Sequence, residues 1–149
     1  MLRAGEMPIV EPASGVVLRV IGGEMGDIRS PVRLLTPVGL IHARLDRGAS
    51  WHHETIIGHN AFAYVIDGGC EIETAEGATA GETGQMILLG LDSGAVKITA
   101  GANRACDLLF LAGAPINEPI AAYGPFVMTT REEIIAAIGE YNSGRMGQL

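Results

Sequence analysis

The chain has 149 residues, a formal net charge of -7, 48% hydrophobic side chains and 21 glycines. That length fits one ordinary domain and excludes a multi-domain enzyme, while the hydrophobic fraction suffices for a core and excludes disorder. Ten Lys and Arg against 17 Asp and Glu, with no basic stripe, exclude direct nucleic-acid binding, because phosphate backbones would be repelled overall. Residues 1–6 lack the apolar core of a signal peptide, and the greasiest stretches, 86–91 and 108–116, are too short to cross a bilayer. A cytoplasmic protein without a membrane partner is expected.

The excess of glycine over long charged runs points to many tight turns between short elements, which is a β-rich signature. From Val16 onward, short apolar runs alternate with Gly, Pro, Asp and Asn at close spacing, the pattern of an antiparallel sandwich or barrel. Strands are predicted at residues 16–21, 32–36, 40–45, 62–66, 70–74, 86–89, 95–99 and 108–111. In the 70–74 run Cys70 and Ile72 alternate with Glu71 and Glu73, so one face looks inward and the other meets water. The 86–89 and 108–111 runs are apolar throughout and call for cover on both faces from a second sheet, a helix or a partner. Cys70 and Cys106 sit in such apolar runs and read as buried thiols packing as small hydrophobes, with a disulfide or a metal pair as the alternative.

The last segment alone reads as a helix. Thr130 followed by Glu133 is a capping box, Glu132 and Glu133 suit the positive end of the helix dipole, and Gly144 offers a left-handed stop. With Ile134, Ile135, Ile138 and Tyr141 at helical spacing, a helix is predicted over 131–142.

All four histidines, His42, His52, His53 and His59, fall within eighteen positions, and Glu54 follows the His pair directly. Imidazole and carboxylate are ligands for Zn, Fe or Mn, and a three-ligand set with open positions activates water or dioxygen. On an extended strand, however, His52 and Glu54 share one face while His53 points to the other, so a bulge is needed before the adjacent pair could hold one ion. Surface histidines are the simpler expectation. No nucleophile elbow and no Cys, His, Asn signature can be read, so no catalytic residue is named. The Gly22 to Gly26 stretch lacks dinucleotide-binding spacing and reads as a turn.

The run Gly58, His59, Asn60, Ala61, Phe62, Ala63, Tyr64, Val65, Ile66, Asp67, Gly68, and the run Gly124, Pro125, Phe126, Val127, Met128 leading through Thr129 and Thr130 into Arg131, Glu132, Glu133 and Ile134, resemble the pirin family, specifically its carboxyl-terminal half. The resemblance extends from about Met7 to Gly147. It implies an all-β fold: a single cupin-type antiparallel β-barrel, or double-stranded β-helix, over residues 1–149 with one C-terminal α-helix. Pirins are typically two tandem cupin domains whose iron-type site belongs to the amino-terminal one. Family activities include a quercetin 2,3-dioxygenase type reaction and, in animal members, a nuclear role as a transcriptional cofactor. Both are attributed to the two-domain form.

Set against the general cupin ligand pattern, counting from Gly48 to Gly68 places Glu54, Ile56 and Ala61 where two histidines and a glutamate are expected. The strand after Gly90 supplies no histidine either. The resemblance therefore implies a barrel without its own metal or other cofactor, acting as a binding or scaffolding module. A homodimer is expected, in which a second copy stands in for the other cupin domain and residues 118–128 or the terminal helix take part in the contact. The rival expectation is a metal-dependent cupin dioxygenase or isomerase with a nonstandard site of His52, Glu54 and His59, joined by His42, holding Fe or another divalent transition metal. A third is that the chain works beside a separate metal-binding cupin. Phe62, Tyr64 and Phe110 are expected to line the barrel, as core or around a small apolar pocket.

Overall fold

A computed structural model describes residues 3–90 and 94–147. After a 3-10 turn at Ala4–Glu6, the strands are β1 (Ile9–Ala13), β2 (Val16–Gly22), β3 (Glu24–Met25), β4 (Ile28–Arg29), β5 (Val38–Leu45), β6 (Ser50–Glu54), β7 (Asn60–Asp67), β8 (Gly69–Thr74), β9 (Gly77–Glu82), β10 (Met86–Leu89), β11 (Ala95–Ala100), β12 (Cys106–Gly113), β13 (Ala121–Tyr123) and β14 (Phe126–Met128), followed by the helix α1 (Arg131–Asn142). Residues up to Pro115 form one compact unit and those from Ile116 a second.

In the first unit, a six-stranded sheet runs in the order β1-β2-β5-β12-β7-β10 and a four-stranded sheet in the order β6-β11-β8-β9, with each neighbouring pair antiparallel. The alternation seen in the sequence sets which face is buried. Val16, Leu18 and Val20 of β2, Ile41, Ala43 and Leu45 of β5, Ala61, Ala63 and Val65 of β7, and Leu108 and Phe110 of β12 point to the inner face of the large sheet. Cys70 and Ile72 of β8 and Val96, Ile98 and Ala100 of β11 point inward from the small one. Side chains from both sheets join one hydrophobic cluster. Each aliphatic side chain fully buried there stabilises the fold by roughly 1.5–3 kcal/mol relative to exposure.

One turn fixes how the hairpin of β7 and β8 meets β12. Gly68, at φ +88°, lets the chain reverse between β7 and β8, and a Cβ there would run into the backbone carbonyl of Ala105. Only glycine combines that backbone with so close an approach. No helix among the described residues is long and apolar enough to cross a membrane.

Three expectations change. The 32–36 run is not a strand: it follows Ser30, whose hydroxyl donates to Ile21 O at 2.6 Å and accepts from Val32 N at 3.1 Å, and Pro31 and Pro37 supply no ladder donor. Leu34 and Leu35 there are exposed. Second, Phe62 and Tyr64 do not line the barrel. They lie on the outer face of β7, whose inward positions are Ala61, Ala63 and Val65, so only Phe110 of the three points inside. Third, the chain by itself covers the apolar 86–89 run on one side, so neither a second sheet nor a helix among the described residues supplies the other. Ile87 is buried, while Met86 and Leu88 on the outer face are 55% and 72% exposed.

In the second unit, β13 pairs with β14 and α1 packs on that hairpin, with Phe126 and Tyr141 edge to face at 6.1 Å. The helix begins where the capping box put it. Thr130 Oγ1 accepts from Glu133 N at 3.2 Å, and Glu133 Oε2 accepts from the backbone N–H groups of Thr129 and Thr130, each at 3.0 Å. Gly144, at φ +70°, follows its end.

Candidate functional site

The histidines that cluster in sequence are dispersed by the strands that carry them. On β6, Trp51 and His53 face inward, and His52 and Glu54 face out and are exposed. His52 stands opposite Lys97 of β11, and Glu54 opposite Ala95. His59 is half-buried in the turn before β7, with its backbone N–H on Ile56 O at 3.0 Å. His42 projects from the outer face of β5, where Nε2 lies 2.5 Å from Asp107 Oδ1 and Arg44 Nε donates to Asp107 Oδ2 at 3.1 Å. Among the described residues, no three His, Cys, Asp or Glu side chains come together in a way that could hold a metal ion. His52, Glu54, His59 and His42 thus do not form one centre: His52 and Glu54 lie on the outer face of the small sheet, His42 on the outer face of the large one, and His59 in a turn.

The barrel interior carries a different group. His53 stacks at 5.0 Å from the Trp51 ring, tilted by 38°, and meets the Phe110 ring edge to face at 5.1 Å; Trp51 and Phe110 are 5.6 Å apart. Burial pulls the His53 imidazole below its ordinary pKa, the nearby charge of Glu54 acting against it, so the ring is neutral at physiological pH. Trp51 is 1% exposed, and its indole N–H finds no acceptor among the described residues. An N–H held in this way fits a small acceptor next to the neutral imidazole. A lone inward histidine with no second and third ligand beside it among the described residues does not make a metal site, since a catalytic centre needs about three protein ligands. At the three positions matched to cupin ligands, Glu54 and Ile56 are exposed and Ala61 offers a methyl group to the interior. These residues do not fit the family's iron.

His53 was the histidine that residue spacing did not single out. The signal was present in the alternation Trp51, His52, His53: once Trp51 is taken as an inward anchor, His53 shares its face.

Two antiparallel sheets around one core of aromatic and aliphatic side chains make an antiparallel β-barrel, and its class is the cupin fold. Within that class, the model of the pirin C-terminal cupin domain matches residues 40–147, and the chain belongs to the pirin family. Pirin from Mus musculus is 32% identical over 98% of this chain and 50% of its own length, and pirin-like protein 2 from Arabidopsis thaliana 31% identical over 90% of this chain and 43% of its own. A solved structure of quercetin 2,3-dioxygenase from Acinetobacter baumannii superposes with a TM-score of 0.88 at 28% identity, covering 99% of this chain and 50% of that one. A second structure of that name from the same organism gives 0.81 at 20% identity, a likeness of fold. The chain spans about half the length of the curated relatives it matches.

Proposed function

We propose that this pirin-family cupin is a binding and scaffolding module that self-associates, and that it is not a metal catalyst. One observation carries the reading: the outer face of the six-stranded sheet carries exposed apolar side chains, while those of its inner face are buried in the core. Register aligns Met86 of β10 with Tyr64 of β7 and Leu109 of β12, and Leu88 with Phe62 and Leu111. Tyr64, Ile66, Met86 and Leu88 on that face are exposed. A contiguous patch of this kind marks an interaction surface, and the two-domain length of the relatives suggests that a cupin of equal size is what covers it. A second copy is the simplest such partner, giving an isologous dimer. Residues 118–128 or the helix, taken by themselves, offer a second exposed apolar surface for the contact, with Ile120, Tyr123 and Val127 on the one and Ile135 and Tyr141 on the other.

Light scattering after gel filtration tests the association. A dimer mass at micromolar concentration is expected; a monomer mass throughout overturns it, and a monomer that pairs only when a metal-binding cupin is added selects a separately encoded partner instead.

The name of the 28%-identical structure supports a second reading, a metal-dependent dioxygenase or isomerase of the cupin type. Elemental analysis of protein purified without an affinity tag separates the two. Negligible Fe, Mn, Ni, Cu and Zn is expected. A near-stoichiometric transition metal would instead favour the enzyme, and its loss in His53→Ala or His52→Ala would locate it.

A further inference from the structure

Cys70 is the second residue of β8 and Cys106 the first of β12, so the two cysteines belong to different sheets. The approach of Gly68 to Ala105 described above brings the start of β8 beside the start of β12, and both side chains turn into the same core cluster, 6% and 2% exposed. A Cβ on Gly68, two residues before Cys70, would lie only 3.1 Å from Cys106 Cα, and the two thiols are near enough that each alters the other's protonation. Two neighbouring thiols turned into one core, on backbone held by ladders at both strands, are placed for a sulfur–sulfur bond between the sheets.

The two sulfurs are not equivalent. The hydrogen bond from Cys106 lowers the Cys70 pKa, against its burial and the charge of Glu82. Cys106 is pushed up by its bond to Cys70, by burial, and by the negative charges of Cys70, Asp107 and Asp67. Cys70 also borders a surface cleft lined by Glu71, Glu82, Thr99, Asn103 and Arg104, whereas Cys106 does not. Arg104 is paired with Asp67, which leaves Glu71 and Glu82 to disfavour an anionic oxidant such as a glutathione disulfide. A small neutral hydroperoxide meets no such barrier.

We propose that Cys70 and Cys106 form a peroxide-sensitive pair in which Cys70 is the attacking thiol, Cys106 the resolving thiol, and the product a disulfide that staples the two sheets together. In the first step the Cys70 sulfur attacks one peroxide oxygen, the O–O bond breaks, and Cys70 becomes a sulfenic acid with release of water, or of an alcohol from an organic hydroperoxide. In the second, Cys106 sulfur attacks the Cys70 sulfur, the S–O bond breaks, and the thiol proton leaves with the hydroxyl as water. The protein loses two protons and two electrons, and the peroxide is the oxidant that accepts them, leaving as water or as water and an alcohol. Reduction by a dithiol restores both thiols. Closing the loop from Cys70 to Cys106 restricts the unfolded chain more than the folded one, so the oxidised form is the more stable.

The test uses the full chain and hydrogen peroxide at a small molar excess. Intact mass should fall by the mass of two hydrogens without a change of oligomeric mass, peptide mapping should join Cys70 to Cys106, and the thermal midpoint should rise by several degrees and return with dithiothreitol. In Cys106→Ser, Cys70 should accumulate as a sulfenic acid trapped by dimedone. Gain of oxygen on Cys70 while Cys106 stays a thiol in the unmutated chain, a disulfide between two chains only, or two thiols left intact after excess peroxide would each overturn the proposal. Because the decisive mass is read on the unmutated chain, failure of a variant to fold does not obscure the result.

Discussion

Phe110, Trp51 and His53 show how single residues divide the interior between packing and polarity. Phe110 is 1% exposed and its ring is braced by both neighbours, so Phe110→Ala removes buried area and leaves a cavity beside the indole. A loss of about 3–5 kcal/mol is expected from chemical denaturation, since such truncations combine transfer and cavity costs. A loss under about 1 kcal/mol would show that the strands collapse around the gap. His53 responds to pH instead. Its imidazole binds a proton less readily in the fold than in the unfolded chain, so stability is full above the ordinary value of 6.5 and declines as pH falls below it, levelling only beneath the lowered folded value. The thermal midpoint should therefore drop more steeply between about pH 7.5 and about pH 5 in the parent chain than in His53→Gln. Parallel curves would mean that the ring is not held neutral.

At the scale of elements, legibility followed local chemistry. The helix was readable to its end residues, because Thr130, Glu133 and Gly144 are signals that act within a few positions. The glutamate carries a pH dependence of its own: the Thr129 hydroxyl, then the Thr129 and Thr130 backbone N–H groups, hold its carboxyl below the usual value. A depressed acid contributes above its ordinary pKa and loses that contribution as pH falls through the folded value. Helix content measured by circular dichroism should thus decline on acidification, and less so in Glu133→Gln; Thr130→Ala should cost about 1 kcal/mol at neutral pH through loss of the cap. Unchanged amide exchange across the helix in Thr130→Ala would show the cap to be redundant. Strands were less evenly legible. β7, β8 and β12 announce themselves by alternation or by continuous apolar residues, but β6 is Ser50, Trp51, His52, His53 and Glu54, polar enough to pass for a loop, and it is a strand because β11 supplies its ladder. The converse error at 32–36 has the same origin. Val32, Leu34 and Leu35 are apolar, yet nothing pairs with them, and two prolines remove donors. The candidate site depended on β6, so its inward histidine was hidden with the strand.

On the scale of the molecule, charge and apolar surface pull in opposite directions. A chain carrying -7 repels its own copy, so an association driven by the outer sheet face has to overcome that field with buried area. The edges of the patch are polar: His42, Asp107 and Arg44 form their own cluster on the same face, satisfied within one chain, which leaves the apolar residues of β7 and β10 as the part that gains from being covered. Two consequences follow from that division. Salt should strengthen the dimer, because it screens repulsion over about 10 Å at ~0.1 M while leaving apolar burial intact. Leu88→Glu, which places a carboxylate at the most exposed apolar position of β10 without touching the inward Ile87, should give a folded monomer at concentrations where the parent chain is dimeric. Sedimentation of both proteins across a salt series reads the two effects together. If the dimer weakens as salt rises, ion pairs and not the apolar face hold it; if Leu88→Glu remains dimeric while Tyr123→Glu does not, the contact lies on residues 118–128 and the outer face of the sheet is covered by something other than a second copy.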